Sequence, residues 1–449
     1  MLPDHIIEKY RNDAEGLAKY FSVEYFNTHE RTFPINPFHV LTDLGIHFVF
    51  RNFKDIEGLF LPAMKDGDVD LVAINAKRPI TRQRFTASHE LCHYLKDPRE
   101  GKSFICETGA KNIIEKYADA FASAFLMPPD ELKVQIDQHG KVDTKLTCDD
   151  VLIIADHFGT SFEACYWRIR NLYTYLAPSI SAMKKYKPAK KREEYGMSEV
   201  CLYSDLFDKW PDITTDLSTD FAKQVFENSY IYNDARLEGV HATLESAAEI
   251  VNDLQSNMQK STYCNPNYEP YCHIAGHAKL YQRVFENYSS KSFTIYEILE
   301  LHKLLFSTFP FPDTGGQFRR EPAIITKSDV ETCDWHEIPK EISSLYQQEK
   351  DLEDHAGEYS KSTILKELLK IHYRLTVIHP FRDGNGRTSR GFLNEELMRF
   401  GFPPMYIKIE RKDEYRAALA QIDHKGDYTM LSEFMMKNLI SSHVELSIR

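Results

Sequence analysis

Apolar side chains recur along this chain at two periods, and the switches between them mark out its parts. From Ile6 to Phe26 the residues Ile7, Tyr10, Leu17 and Phe21 return at helical spacing, which predicts a helix packing one face on the next elements of the chain. Strand-like runs come next at Ile46 to Phe50 and Val72 to Asn75. They flank Gly58-Leu59-Phe60-Leu61, with Gly67-Asp68 as turn residues, so a small sheet is expected. A helix is expected at Phe85 to Leu95 and a second from Ile113, ending at Met127-Pro128-Pro129, where proline cannot continue it. Between Thr147 and Leu172 two helical stretches flank Gly159 and a capping residue, a helix-turn-helix pattern. Thr388 to Phe400 carries Phe392, Leu393, Leu397 and Met398 at helical spacing, and Tyr415, Ala418, Leu419 and Ile422 form a later apolar helix face.

Composition narrows the class. With 449 residues, 42% of them hydrophobic and 27% charged, the chain has material for about two to four globular domains. A formal net charge of −12 argues against nucleic acid as a partner and leaves proteins and nucleotides. No apolar run is long enough for a bilayer and the start lacks a secretory core, so a cytoplasmic protein without a membrane contact is expected. The eight cysteines are thinly spread, as in a reduced compartment. Cys264, Cys272, His273 and His277 form a metal candidate whose spacing matches no structural zinc pattern, and a helix surface is the preferred reading. Lys184 to Arg192 holds six basic residues in nine and a proline, which reads as a solvated linker. The expected domains are 1–178, a linker over 179–214, and 215–449.

Two strings carry chemistry. In His379-Pro380-Phe381-Arg382-Asp383-Gly384-Asn385-Gly386-Arg387-Thr388-Ser389-Arg390, His379 is fitted to act as a general base and Asp383 to hold Mg2+ beside a substrate's phosphates. Gly384-Asn385-Gly386 lets backbone N–H groups converge on an anion at the start of a helix, where the dipole favours phosphate. Arg387 and Arg390 come after it one turn apart, each able to clamp phosphate oxygens. In the second string, His89 and His93 are one helical turn apart, the spacing of two zinc ligands, and Glu90 between them can reach a metal-bound water. Glu115 and Asp119 share a face of the next helix, giving one carboxylate to complete a zinc site and one to orient a histidine.

The first string resembles the signature of the Fic family, H-P-F-x-[D/E]-G-N-G-R-x-x-R, and the likeness runs from about Thr215 onward. It implies an all-α bundle with a small β-hairpin flap that transfers AMP from ATP to a protein hydroxyl. By that resemblance His379 is the base, Asp383 the Mg2+ ligand, Asn385 with the glycine amides the phosphate cradle, and Arg387 and Arg390 the β- and γ-phosphate partners. Gly386 stands where the family's kinase-like branch has lysine, which favours nucleotide transfer. Residues from about 35 to 175 resemble the ImmA/IrrE family of zinc metallopeptidases, implying an α+β zincin-like fold with a helix-turn-helix extension over 147–172. His89, His93 and Glu115 would then bind zinc and Glu90 would be the base, with Asp119 an alternative third ligand. Cys92 and Asp119 depart from that family's usual glycine and asparagine.

Asp234-Ala235-Arg236-Leu237-Glu238-Gly239 resembles the Fic inhibitory motif, [S/T]-x-x-x-E-[G/N], with Asp234 in place of Ser/Thr, where it can serve as a local cap. The resemblance implies that Glu238 pairs with Arg390 and keeps it from the γ-phosphate. Thr314 to Thr326, with Gly316, Phe318 and Arg319, has the strand-turn character of the target-holding flap. The leading expectation is therefore a self-inhibited protein adenylyltransferase using ATP, Mg2+ and Zn2+, fused to a zinc peptidase acting on a repressor or on itself. The alternatives are another donor or AMP removal with a zinc-stabilised sensing module in front, and a DNA-binding regulator.

Overall fold

The expected small sheet is present in the computed structural model with one strand more than the pattern gives: β1 (His47–Arg51), β2 (Ile56–Leu61), β3 (Leu71–Asn75) and β4 (Phe104–Glu107), in the order β1-β3-β2-β4. β1 pairs parallel with β3, and β2 runs antiparallel to β3 and β4. The structure describes residues 2–65, 67–97, 104–107, 113–140, 145–210, 220–256, 269–287, 294–309, 314–325 and 330–446. The chain divides into two compact units, Met1–Pro211 and Asp212–Arg449. No helix among the described residues is long and apolar enough to cross a membrane.

In the first unit the helix expected over Ile6 to Phe26 is two, α1 (Asp4–Lys9) and α2 (Ala14–Phe26). The break arises because Asp13 caps α2, its carboxylate accepting the Gly16 N–H at 2.8 Å. After α3 (Pro37–Asp43), α4 (Ile80–Lys96) lies on β2 and β3 and against α5 (Ile113–Leu126), buried along almost its whole length. Buried polar side chains on such a helix need partners, and His89, Glu90 and His93 are among those that α4 buries.

α6 (Pro129–His139) packs on the helix-turn-helix pair, α7 (Cys148–Phe158) and α8 (Phe162–Leu172), around a core of Leu132, Leu152, Phe158 and Tyr166. Gly159 turns between them in the left-handed region, φ 59°. The buried Arg84 of α4 donates to the carbonyls of Gly159 and Ile35. Arg168, the central cation of α8, is also buried and donates to Glu15 and to the Met127 carbonyl. The side of α8 turned to solvent presents Glu163, Trp167 and Asn171 with Arg170 half-buried, so it carries one cation beside one acid.

The basic stretch expected as linker is folded. α9 (Ile180–Lys185), α10 (Pro188–Glu194) and α11 (Val200–Lys209) belong to the first unit, whose end falls at Pro211; residues 211–214 lie outside those described. Charge counting alone missed the anchors: Tyr186 and Tyr195 both donate to Asp149, and Arg192 pairs with Asp156 on α7. Trp210 packs edge-on against Phe50, with ring centroids 4.9 Å apart.

The second unit is helical among its described residues: α12 (Asp220–Leu237), α13 (Leu244–Ser256), α14 (Glu269–Asn287), α15 (Ile295–Phe306), α16 (Ile338–His355), α17 (Lys361–Ile378), α18 (Asn385–Arg399), α19 (Lys412–Lys425) and α20 (Thr429–Leu446). α18 is central, buried along nearly its whole length and packed on α14, α15 and α17. Among the described residues of the flap expected over 314–326, Ile324 bridges Glu331; Thr326 lies outside those described.

Candidate active sites, one in each unit

In the first unit, α4 and α5 bring His89, His93 and Glu115 together, each offering one ligand atom within 4.8 Å of the others. His89 Nε2 lies 3.1 Å from Glu115 Oε2 and 3.1 Å from His93 Nε2. The outer ring nitrogens fix the tautomers: His89 Nδ1 faces Asp119 at 2.9 Å and His93 Nδ1 faces Asp97 at 2.6 Å. With each proton held at Nδ1, both Nε2 lone pairs and the Glu115 carboxylate point at one place. A cation satisfies such a convergence of acceptors, and two imidazoles with a carboxylate suit zinc. Helical spacing left the roles of Glu115 and Asp119 open; the packing of α5 puts Glu115 toward the centre and Asp119 behind His89. Asp97 was not singled out in the sequence, although its place four residues after His93, at the C-cap of α4, was an available signal.

Glu90 is fully buried, and an added Cβ at Gly58 of β2 would lie 2.7 Å from its Oε1. Burial pushes its carboxyl up to about 8, His89 countering and Glu115 reinforcing the shift. A carboxyl that titrates near neutrality beside a candidate metal centre is suited to taking and returning a proton. Cys92 is buried, and burial also raises its thiol.

In the second unit, α17 ends at His379, a non-glycine residue at φ 49°. This backbone is held from outside. Arg319 donates through Nε to the His379 carbonyl at 2.8 Å, through Nη2 to the carbonyls of Ile378 and Cys333, and through its own N–H to the Pro380 carbonyl. Arg319 is therefore buried and spent on the loop, and Gly316 and Phe318 are likewise turned to support. The Gly316 N–H donates to His302 Nδ1, and Phe318 approaches the Phe381 ring. The strand-like residues at the pocket are instead Ile324, Ile325 and Val330.

The Asp383–Gly386 turn is braced by its neighbours. His302 stacks on Phe381 with ring centroids 3.7 Å apart and donates through Nε2 to the Asp383 carbonyl. Burial lowers His302 to about 4, so it stays neutral. The Asn385 carboxamide accepts the Phe381 N–H and donates to the Phe381 carbonyl, both at 2.8 Å, so this side chain closes the turn. Gly384 sits at φ 78°, a conformation that glycine adopts without strain. The first intrahelical bond of α18 runs from the Thr388 N–H to the Gly384 carbonyl, and the N–H groups of Asn385, Gly386 and Arg387 precede it. Amides at such a helix N-terminus are suited to an anion.

Above these amides is a pocket of about 460 Å³, lined among others by Glu238, His379, Asp383, Arg390, Lys412 and Tyr415, a size suited to one small ligand. Burial lowers His379, and the hydrogen bond to the Thr376 carbonyl offsets this in part. That bond, at Nδ1, leaves Nε2 as the basic nitrogen. Burial alone would raise Asp383; the Arg387 charge and the hydrogen bonds from Gly384 and Arg387 outweigh it and hold the carboxylate ionised. Arg387 itself is buried away from the pocket. It donates to His273 Nδ1 at 2.6 Å and to Asp383 at 3.2 Å, so it braces the acid.

Arg390 donates through Nη2 to Glu238 at 2.5 Å and through Nε to Asp234. Asp234 is inside α12 and caps nothing; its other oxygen accepts from His277 Nε2 at 2.7 Å. Gly386 permits this approach, because a Cβ there would lie 2.8 Å from Glu238 Oε1 and 2.9 Å from Arg390 Nη1. His273 and His277 thus brace α18, and neither joins a metal cluster among the described residues; Cys264 lies outside them.

Residues 292–397 match the model of the Fic/DOC family, and residues 41–170 match that of the IrrE N-terminal-like domain. Protein adenylyltransferase fic-1 of Caenorhabditis elegans is 31% identical over 158 residues, covering 35% of this chain and 28% of its own length. Protein adenylyltransferase Fic of Drosophila willistoni is 34% identical over 143 residues, covering 32% of this chain and 27% of its own. The chain thus spans less than a third of the length of these curated relatives. A solved Fic-domain-containing signaling protein from Bacteroides thetaiotaomicron is 21% identical, with 55% of this chain and 94% of that one covered and a TM-score of 0.43.

Proposed function

We propose that this chain, which carries a Fic/DOC domain and an IrrE-type domain, is a protein adenylyltransferase that moves AMP from ATP to a hydroxyl of a target protein and restrains itself through Glu238. The observation that carries this reading is the pocket in which His379, the α18 amide floor and a Glu238-bound Arg390 meet. In the reaction the target oxygen bonds to the α-phosphorus, the bond from that phosphorus to the bridging oxygen breaks, and pyrophosphate leaves. His379 Nε2 takes the hydroxyl proton. The α18 amides hold phosphate oxygens, and Arg390 reaches the γ-phosphate only after it leaves Glu238. Asp383, ionised and braced by Arg387, is the residue that would hold Mg2+, whose charge would offset that of the phosphates. An extended target segment would lie along Ile324 and Ile325.

The first unit supports a second activity in the same chain. His89, His93 and Glu115 would hold zinc, which supplies an acidic bound water and polarises a carbonyl, and Glu90 would move the proton. A sensing module with the same metal is told apart by Glu90→Gln: cleavage of a repressor or of the chain itself lost with zinc retained supports catalysis, and no cleavage by either protein supports the module. The buried Arg168 and the acidic balance of the chain weigh against a DNA-binding regulator.

The central test is label from α-labelled ATP with Mg2+ in cell lysate, comparing wild type, Glu238→Gly, and Glu238→Gly with His379→Ala. Strong label in Glu238→Gly alone establishes the reading. No label in any of the three sinks it and points to another donor or to AMP removal.

A further inference from the structure

Two carboxylates hold Arg390, and they are not equivalent. Glu238 comes directly after the last residue of α12 and its side chain is one-third exposed (33%), so it can swing away into water. Asp234 is one turn deeper and 2% exposed. Burial by itself would raise its carboxyl, but Arg390 and His277 outweigh that and keep it ionised. Burial lowers His277, so its neutral ring donates through Nε2 to Asp234. Separating Asp234 from Arg390 would leave a carboxylate buried without its counter-ion, which is costly. The two acids also grip different edges of the guanidinium, Asp234 at Nε and Glu238 at Nη2, while Nη1 lies over Gly386 on the nucleotide floor.

We propose that Asp234, propped by His277, is a fixed positioning residue that aims Arg390 at the nucleotide, while Glu238 is the displaceable gate. The inference rests on the adenylyltransferase reading above. When Glu238 leaves, the Nε edge stays anchored, and the two Nη groups remain directed at the site with their orientation already set. Asp234 therefore acts with the transferase and not with its inhibitor, although it occupies a place in the inhibitory motif. Helix α14 supplies the second layer of this support with His273 on Arg387 and His277 on Asp234, one turn apart. This also accounts for a pair of histidines that metal spacing left unexplained.

The test uses the full chain in the Glu238→Gly background, adding Asp234→Asn, Asp234→Ala or His277→Ala, with kcat and KM for ATP measured against a protein target identified by the label. Asp234→Ala is expected to lower kcat about 10- to 100-fold with little change in KM, because binding survives and aim does not. Asp234→Asn keeps the shape and an acceptor and should recover part of the loss; His277→Ala should give a smaller fall. A rise in kcat for Asp234→Ala or Asp234→Asn would make Asp234 a second inhibitor and overturn the proposal. An unchanged kcat with a lower melting temperature would make it merely structural and overturn it as well. If Asp234→Ala does not fold, Asp234→Asn decides. A Glu238→Gly parent without label removes the underlying reading, and the proposal with it, and is distinguished from these outcomes by the parent alone.

Discussion

Replacing Glu238 by glycine tests the proposed restraint most directly, and the geometry sets how large the effect should be. Glu238 Oε1 accepts from Arg390 Nη2 at 2.5 Å. A hydrogen bond between charged partners is worth about 1.5 to 3 kcal/mol net, and exposed pairs about 0 to 1 kcal/mol. Glu238 is one-third exposed and Arg390 is already matched by Asp234, so the lower part of the first range applies, about 1.5 to 2 kcal/mol. If Arg390 must give up this contact to meet the γ-phosphate, removing it should raise kcat/KM for AMP transfer about 10- to 30-fold, at 1.4 kcal/mol per decade. The affinity for Mg-ATP should tighten by a similar factor, and that for Mg-ADP should change little, because the gain lies at the third phosphate. Glu238→Gln, which keeps the shape without the charge, should fall between. The assay is initial-rate label transfer beside calorimetric titration of both nucleotides. A change in rate below about threefold, with circular dichroism and ADP affinity intact, would refute the view that this ion pair limits the enzyme.

The geometry sets three further outcomes. Burial lowers His379 below its ordinary 6.5, and the base must be neutral, so activity of Glu238→Gly should stay level as pH falls to that value and decline only below it; an acidic limb centred at or above 6.5 in kcat/KM is the contrary result. Asp97→Ala should weaken zinc binding about 10- to 100-fold in chelator competition, because His93 loses the acceptor that fixes its tautomer, and an affinity equal to wild type would remove Asp97 from the centre. Gly386→Ala in the Glu238→Gly background should lower transfer about tenfold or more, since the new methyl group would lie 2.9 Å from Arg390 Nη1 even without the glutamate; full activity would show that Arg390 moves freely.

Local chemistry in this chain was written in local spacing. The stretch from His379 to Arg390 brings its own turn, helix start and charges within twelve residues, and His89 with His93 needs only the helical repeat to share a face. The convergence of His89 and His93 and the helix start after Gly384 were therefore legible, as were three strands of the sheet. What the sequence left open depended on which elements meet. Glu115 and Asp119 share one face of α5, and only the packing of α5 on α4 turns Glu115 inward and puts Asp119 behind His89. Arg319, expected in the target flap, and Arg387, expected at a phosphate, are both buried, and their partners come from distant parts of the chain: Arg319 donates to the His379 carbonyl, and Arg387 to His273 as well as Asp383. The stretch from Lys184 to Arg192 looked like a solvated linker until Asp149 and Asp156 of α7 supplied its partners. Asp234 lies 156 residues before Arg390, and no periodicity relates positions so far apart. Their meeting is decided by helix packing, which buries the Asp234 carboxylate and leaves that of Glu238 one-third exposed.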